Sequence, residues 1–273
     1  MCTNPSACAG VAAGNDVANH AFTAGENWSS TVSVATAEEY LLGVPIGTLS
    51  PMPAAGEHHP AFEEYCECIF EMREDNAEVI QARLAERLDV SRASVSEMVK
   101  RMEAANLLKV DSTHLQLTST GEELAVRIVR RHRLAERFLI DVIGLPWERA
   151  HHEACKWEHI ISEDVEAGLV RLLGNPTTCP HGNPIPGALA TVVPVTPLAK
   201  VASGTRFTVV RIPEEIEERD GALGKLQAQH IVPGQQCTLV DHRAGVAQLI
   251  VHDTVDRKAS LDQFVSERLL VTL

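Results

Sequence analysis

The sequence predicts a mainly α-helical protein with a small β domain at its C-terminal end. Three observations predict it. Apolar residues recur at helical spacing from Pro60 to about Gly174, a helix–turn–helix pattern followed by a hairpin pattern lies between Leu84 and Leu117, and short β-rich runs take over from Thr205 onward.

The elements follow in chain order. Residues 1–57 are rich in Ala, Gly, Ser, Thr and Asn without sustained periodicity, the composition of a disordered extension. From Pro60, residues Phe62, Tyr65, Cys66, Ile69 and Phe70 share one face of a first amphipathic helix, and a second runs from Val79 to Leu88. Asp89-Val90 then forms a tight turn, with Ser91 placed to cap a third helix that extends to about Ala105. Val95, Met98, Val99 and Met102 point inward on that helix, leaving Ser94, Ser96, Lys100 and Arg101 outward. Leu107 to Val110 and Leu115 to Leu117 flank Asp111-Ser112-Thr113-His114, which has the size of a wing hairpin. This is a winged helix-turn-helix, a DNA-reading unit.

A capping box at Ser119 to Glu122 opens a long helix ending near Gly144. Pro146 starts another through about Ile161, and Ser162 precedes a third that ends near Gly174. A proline-punctuated loop covers 175–187 and a linker 188–203. Beyond them Phe207 to Ile212, Gln236 to Val240 and Gln248 to Val251 read as strands of a small, partly open SH3-like barrel. The expected divisions are 58–124, 125–187 and 204–273.

At 273 residues, two or three domains fit. Lys and Arg number 24 against 37 Asp and Glu, a formal charge of −13, so indiscriminate nucleic-acid binding through a basic surface is excluded and any DNA contact is local. Seven irregularly spaced cysteines indicate neither a disulfide framework nor a zinc ribbon, and no apolar run is long enough to span a membrane, so a reduced, cytoplasmic protein is expected. Walker, GxGxxG and GxSxG patterns are absent, and Cys155 with His159 lacks an orienting third group, which argues against an enzyme.

The chemistry lies on two helices. His151, Cys155, Glu158 and His159 fall at i, i+4, i+7 and i+8 and share one stripe; His132 and Glu136 form a second pair at i, i+4. Imidazoles, carboxylates and a thiol together suit first-row divalent metals, without the closed thiolate cage of structural zinc. Trp157 and Ile160 are expected to supply the packing face opposite the stripe.

These residues resemble the diphtheria toxin repressor family, which includes iron-dependent regulators and manganese transport regulators. The likeness rests on Leu84-Ala85-Glu86-Arg87-Leu88 with Ser94-Val95-Ser96, on Arg131 to Arg137, on His152-Glu153-Ala154-Cys155-Lys156-Trp157-Glu158-His159, and on Gly182-Asn183-Pro184-Ile185-Pro186-Gly187. It is close from about Phe62 to Gly187 and loose beyond. It implies a winged-helix domain, a helical dimerisation domain and an SH3-like domain, forming a homodimer that binds double-stranded operator DNA when Fe(II) or Mn(II) fills two sites per subunit.

Carried over by position, the first site would use Glu64, Cys155, Glu158 and His159, and the second His132, Glu136 and His151 joined by Glu215 and Glu218, or by Glu214 and Glu217 after a one-residue shift. Operator contacts would come from Arg83, Ser91, Ser94, Ser96 and Arg101. The iron-sensing branch has methionine where this chain has Glu64, and the manganese branch commonly has a carboxylate where it has Cys155. The site is thus a hybrid that leaves iron and manganese equal. A metal-storage protein with a degenerate DNA-binding domain is the competing reading.

Overall fold

The computed structural model describes residues 60–189, 193–253 and 255–273, so the extension expected over residues 1–57 lies outside the described residues. Helix α1 (Pro60–Glu74) buries Tyr65, Cys66, Cys68, Ile69 and Met72. Helix α2 (Gln81–Arg87) starts later than its pattern suggests, because Ile80 is extended and bridges to His114 in the wing. Asp89 makes the tight turn with a φ of 50°, a left-handed conformation that Asp tolerates. Ser91 then caps helix α3 (Arg92–Ala104), its Oγ accepting from the Ser94 N–H at 3.1 Å.

Strands β1 (Leu108–Asp111) and β2 (His114–Leu117) pair antiparallel with Leu108 opposite Leu117, closing the wing. Helix α4 (Ser119–Arg137) is capped by Thr118, whose Oγ1 accepts from the Gly121 N–H at 3.2 Å, and not through the expected Ser119 box. Thr118 is held for this task by donating to the Asn106 carbonyl at 2.6 Å. Gly121 is required there, since a Cβ would stand 1.9 Å from the Leu107 carbonyl oxygen. The helix crosses residues 124 and 125 without a break. Leu124, Ala125 and Ile128 belong to the winged-helix core, whereas Leu134 and Ala135 belong to a second core with Leu139, Ala150, Ala154 and Ile185.

A π-helical turn (Phe138–Val142) ends α4; helices α5 (Trp147–Trp157) and α6 (Glu163–Leu172) follow, the latter capped by Ser162. Trp157 does pack, tilted against Phe138, but Ile160 is 78% exposed: the inward face of α5 is lined by Ala150 and Ala154, which let α4 approach closely.

The expected linker is partly structured. It contains strand β3 (Thr196–Pro197) and Leu198, which is fully buried in the C-terminal core. Strands β4 (Arg206–Arg211), β5 (Gln236–Arg243), β6 (Val246–Val251), β7 (Arg257–Asp262) and β8 (Leu270–Thr272) complete a six-stranded antiparallel sheet ordered β3-β8-β4-β5-β6-β7. Its edges β3 and β7 do not meet, so the sheet stays open, and bulges between Val209 and Arg211 and between Leu239 and Asp241 bend it. Three short helices decorate it: α7 (Glu214–Glu217), α8 (Ala222–Ala228) and α9 (Gln263–Arg268). Trp147 from α5 is buried in this third core, which fastens the sheet domain to the helices. No helix among the described residues is long and apolar enough to cross a membrane.

Candidate metal centre and nucleic-acid interface

Helical spacing delivers the donors to the cleft between α4 and α5. His132 and Glu136 lie one turn apart on α4, and His151 and Cys155 one turn apart on α5. The helix itself ends at Trp157, but Glu158 keeps helical angles (φ −53°, ψ −36°) and so stays on the stripe. The carboxylate of Glu136 sits 3.3 Å from Nε2 of His132 and 3.1 Å from Nδ1 of His151. On the other side of its ring, His132 places Nδ1 2.6 Å from Glu158. Its two nitrogens therefore face different donor groups.

The sheet domain closes the inner side. Helix α7 turns Glu214 and Glu217 inward: Glu217 lies 3.5 Å from Nδ1 of His151 and 2.6 Å from Nδ1 of His181. Glu215 and Glu218 do not take that place. Glu215 pairs with Arg268 at 2.8 Å, and Glu218 is held by Arg87, its Oε2 3.3 Å from Nε. Pro213 sets the start of this one-turn helix, so residues 214 and 217 share the inner face and a shift of one position turns the side chain away.

Cys179 and His181 join from the 175–187 loop and were not singled out in the sequence. Gly182 lets that loop meet β4, because a Cβ would lie 2.2 Å from the Val210 carbonyl oxygen, and the Ile212 N–H donates to the His181 carbonyl at 2.9 Å. His181 then faces Glu136 and Glu217, both completely shielded from solvent at their side chains. Two donors separated by one proline ahead of a glycine were the signal available.

The outer side is built by α1. Glu64 is 3.6 Å from Nε2 of His159, Glu63 hydrogen-bonds Nδ1 of His159 at 2.7 Å, and Glu158 lies 3.2 Å from Nε2. Glu67, one turn beyond Glu64 and also unremarked in the sequence, lines a cavity of about 110 Å³ with Glu64, His132, His151, Cys155 and Glu158. Its i+3 relation to Glu64 was the missed signal.

Among the described residues, four donor groups have ligand atoms within 4.8 Å of one another: His132, Glu136 and His151; His132, Cys155 and Glu158; Glu136, Cys179 and His181; His151, Glu214 and Glu217. Several of the atoms are buried and crowd against one another without a well-formed hydrogen bond: Nε2 of His132, Oε2 of Glu136, Oε2 of Glu217, and both ring nitrogens of His181. Buried carboxylates and imidazoles left in this condition are costly unless a cation satisfies them. The residues therefore fit a divalent metal.

Their protonation tells the same story. Burial, reinforced by Glu158 and Glu71, pushes the Glu67 carboxyl well above the usual carboxylate range, and burial with Glu136 and Glu214 does so for Glu217. For Glu136 burial is outweighed by His181 and His132, which hold it well below that range. Burial raises the Cys155 thiol, but hydrogen bonds from His132 and His151 overcome it and bring the value down to about 7. The hydrogen bond to Glu63, with the Glu64 carboxylate close by, raises His159 to about 10. Each of these groups would have to be deprotonated to ligate a cation.

On the DNA side, Ser91, Ser94 and Arg101 are exposed on α3 and Ser96 is half-buried. Ser91 and Ser94 share a 2.8 Å hydroxyl contact, and the Arg101 guanidinium lies 5.4 Å from the Phe62 ring centroid. Arg83 is exposed too, but it borders a cleft toward the sheet domain that also includes Arg219 and Phe264.

A winged helix-turn-helix joined to a buried cluster of hard donors defines a metal-responsive DNA-binding regulator. The family described as iron dependent repressor, N-terminal DNA binding domain, matches residues 59–114, and that described as iron dependent repressor, metal binding and dimerisation domain, matches residues 118–187. Iron-dependent repressor IdeR of Mycobacterium leprae is 41% identical over 207 residues, 71% of this chain and 90% of the relative. Diphtheria toxin repressor of Corynebacterium diphtheriae is 48% identical over 126 residues, 46% of this chain and 56% of the relative. Among solved structures, a manganese-dependent transcriptional repressor in complex with manganese aligns with a TM-score of 0.69 at 27% identity, covering 77% of this chain and 98% of the other. The manganese regulator SloR aligns with a TM-score of 0.64 at 26% identity, covering 79% and 99%. The chain belongs to the iron-dependent repressor family, the family of the diphtheria toxin repressor. It is a metal-dependent transcriptional repressor and not an enzyme.

Proposed function

We propose that this chain represses transcription as a homodimer whose operator affinity depends on Fe(II) or Mn(II) held at two sites per subunit. The observation that carries this reading is the set of buried ligand atoms on His132, Glu136, His181 and Glu217 that face one another without well-formed hydrogen bonds, next to a winged helix whose first helix brings Glu64 and Glu67 to the same cluster.

The outer site would be held by Glu64, Glu67, Cys155, Glu158 and His159. The inner would use His132, Glu136, His151, Cys179, His181 and, from α7, Glu217 with Glu214 beside it. The family alignment offered Glu215 and Glu218, and their ion pairs with Arg268 and Arg87 argue for Glu214 and Glu217 instead. A bound cation supplies the positive charge that lets carboxylates from α1, α5 and α7 converge without protons. Glu64 and Glu67 tie the DNA-binding domain to the helical body, which fixes the orientation in which α3 meets DNA. Ser91, Ser94, Ser96 and Arg101, with Arg83 at the margin, are the proposed operator contacts, largely to phosphates.

Carboxylates and imidazoles dominate both sets, and the Cys155 thiol does not exclude either metal; supply in the cell weighs as much as preference, because intrinsic affinity disfavours both in the Irving-Williams order. Calorimetric titration of the metal-stripped chain with Mn(II), and anaerobically with Fe(II), tests the reading. Two cations per chain and proton release are expected. Saturation without proton release, or no binding above buffer background, would refute the ligand sets.

A further inference from the structure

Helix α7 is one turn long and sends its acidic side chains in different directions. Glu217 enters the donor cluster, Glu214 meets Nε of Arg133 at 3.1 Å, and Glu218, at the helix end, borders the outer cavity and pairs with Arg87. The Glu218 N–H donates to the Glu214 carbonyl at 2.9 Å, so all three move as one rigid turn.

Arg87 is the last residue of α2 and stands four positions before Ser91, the cap of α3. Its side chain is only 7% exposed, and Nη2 is 2.8 Å from Glu71 on α1, itself buried. A guanidinium fixed on one side by Glu71 and on the other by Glu218 has one arrangement available. Beside it a cleft of about 550 Å³ separates α2 from α7 and α9, so this ion pair bridges a gap and does not merely decorate a packed interface. A second tie between the same domains, Arg211 to Glu74 at 2.8 Å, joins the end of α1 to β4 and reaches no residue of α2 or α3.

We infer that the Arg87 to Glu218 ion pair is a strut that couples occupancy of the donor cluster to the helix-turn-helix, making both residues positioning residues for operator binding. The inference rests on the repressor reading above. When Glu217 is drawn inward, α7 turns with it, Glu218 carries Arg87, and Arg87 sets the turn that precedes α3. Glu218 borders the cavity lined by Glu64, His132, Cys155 and Glu158, but its carboxylate is taken up by Arg87.

Linkage makes the strut measurable, because whatever factor a cation adds to operator affinity, the operator adds to cation affinity. The full-length chain and its Glu218→Gln variant would be titrated with Mn(II), with and without a duplex selected from a random pool by the Mn(II)-loaded unmodified chain. Glu218 is 40% exposed and Arg87 keeps Glu71, so the variant retains its fold, which circular dichroism verifies. The expected result is a coupling ratio reduced about ten-fold, with Mn(II) affinity in the absence of duplex changed by less than about two-fold. Arg87→Lys, which keeps the charge without the fork, should fall between the two.

An unchanged ratio overturns the strut. So does an equal loss of duplex affinity in metal-free and loaded protein, which marks a purely structural bridge, and so does a parallel loss of Mn(II) affinity without duplex, which makes Glu218 a ligand. A ratio of one in the unmodified chain would instead bring down the repressor reading itself.

Discussion

The inner and outer halves of the donor cluster are built to different degrees of completion. Glu136, His132, His151, His181 and Glu217 are all buried, and three separate elements hold them: α4, α5 and the contact between the 175–187 loop and the sheet domain. Glu64, by contrast, leaves 55% of its side chain in solvent, and its distance of 3.6 Å to His159 is longer than a hydrogen bond. The inner donors are enclosed by the fold, whereas the outer half reaches solvent at Glu64. From this difference we propose the roles: the inner donors would form a platform, and the outer carboxylates the contact that a switch moves.

The largest effect should come from breaking the platform. Glu136→Ala removes the carboxylate shared by His132, His151 and His181, and loss of one partner from such a buried charged set costs about 3 to 5 kcal/mol. Urea denaturation of metal-free protein checks this; an unchanged midpoint would mean that the inner half is not a folded unit.

Glu64→Ala should behave oppositely. Exposed as it is, its loss should shift stability by no more than about 0.5 kcal/mol. It should nonetheless remove the metal-dependent part of operator affinity, a factor on the order of 5 to 150. A variant still responding normally in gel shifts would move the switch elsewhere, with Glu67 the next residue to test.

Acid should weaken both halves by competition. His159 releases its proton at about 10, His181 at about 9 and Cys155 at about 7, so all three are protonated at low pH and each must lose its proton before it can ligate. Affinity for Mn(II) should therefore climb with pH up to about 10, most steeply below about 7, and the protons released per cation should fall as pH passes the Cys155 value. Titrations in buffers of different ionisation heat report that number directly, and identical heats in all buffers at the acidic end would contradict the assignment.

The smallest effect concerns selectivity. Glu64→Met replaces a hard oxygen with a soft thioether at the rim and should move the response from Mn(II) toward Fe(II) by a few-fold, roughly the leverage of one ligand among several. Parallel anaerobic titrations would show whether the ratio of the two affinities moves at all.

How much of this was legible in the sequence follows from which contacts are local. His132 with Glu136, and His151 with Cys155, Glu158 and His159, are set by helical period alone, so spacing sufficed. The winged helix was readable for the same reason, down to Ser91 as the cap. Glu214 and Glu217 were not separable from Glu215 and Glu218, because a run of four glutamates around one turn offers every register and only the packing of α7 selects the face. Cys179 and His181 depend on the loop meeting β4 through Gly182, a long-range contact with no periodic trace. The shortened α2 is similar: Ile80 leaves the helix for a bridge to His114, which lies in the wing far along the chain. Strands β3, β7 and β8 are short or polar enough to escape an apolar pattern.

Fluorescence anisotropy of a labelled promoter duplex, titrated with the metal-stripped chain and again with Mn(II) or Fe(II) present, tests the account most directly. The account predicts tight, salt-sensitive binding only in the presence of metal. Equal binding with and without it would contradict the claim that donors on α1, α4, α5 and α7 govern how the winged helix meets DNA.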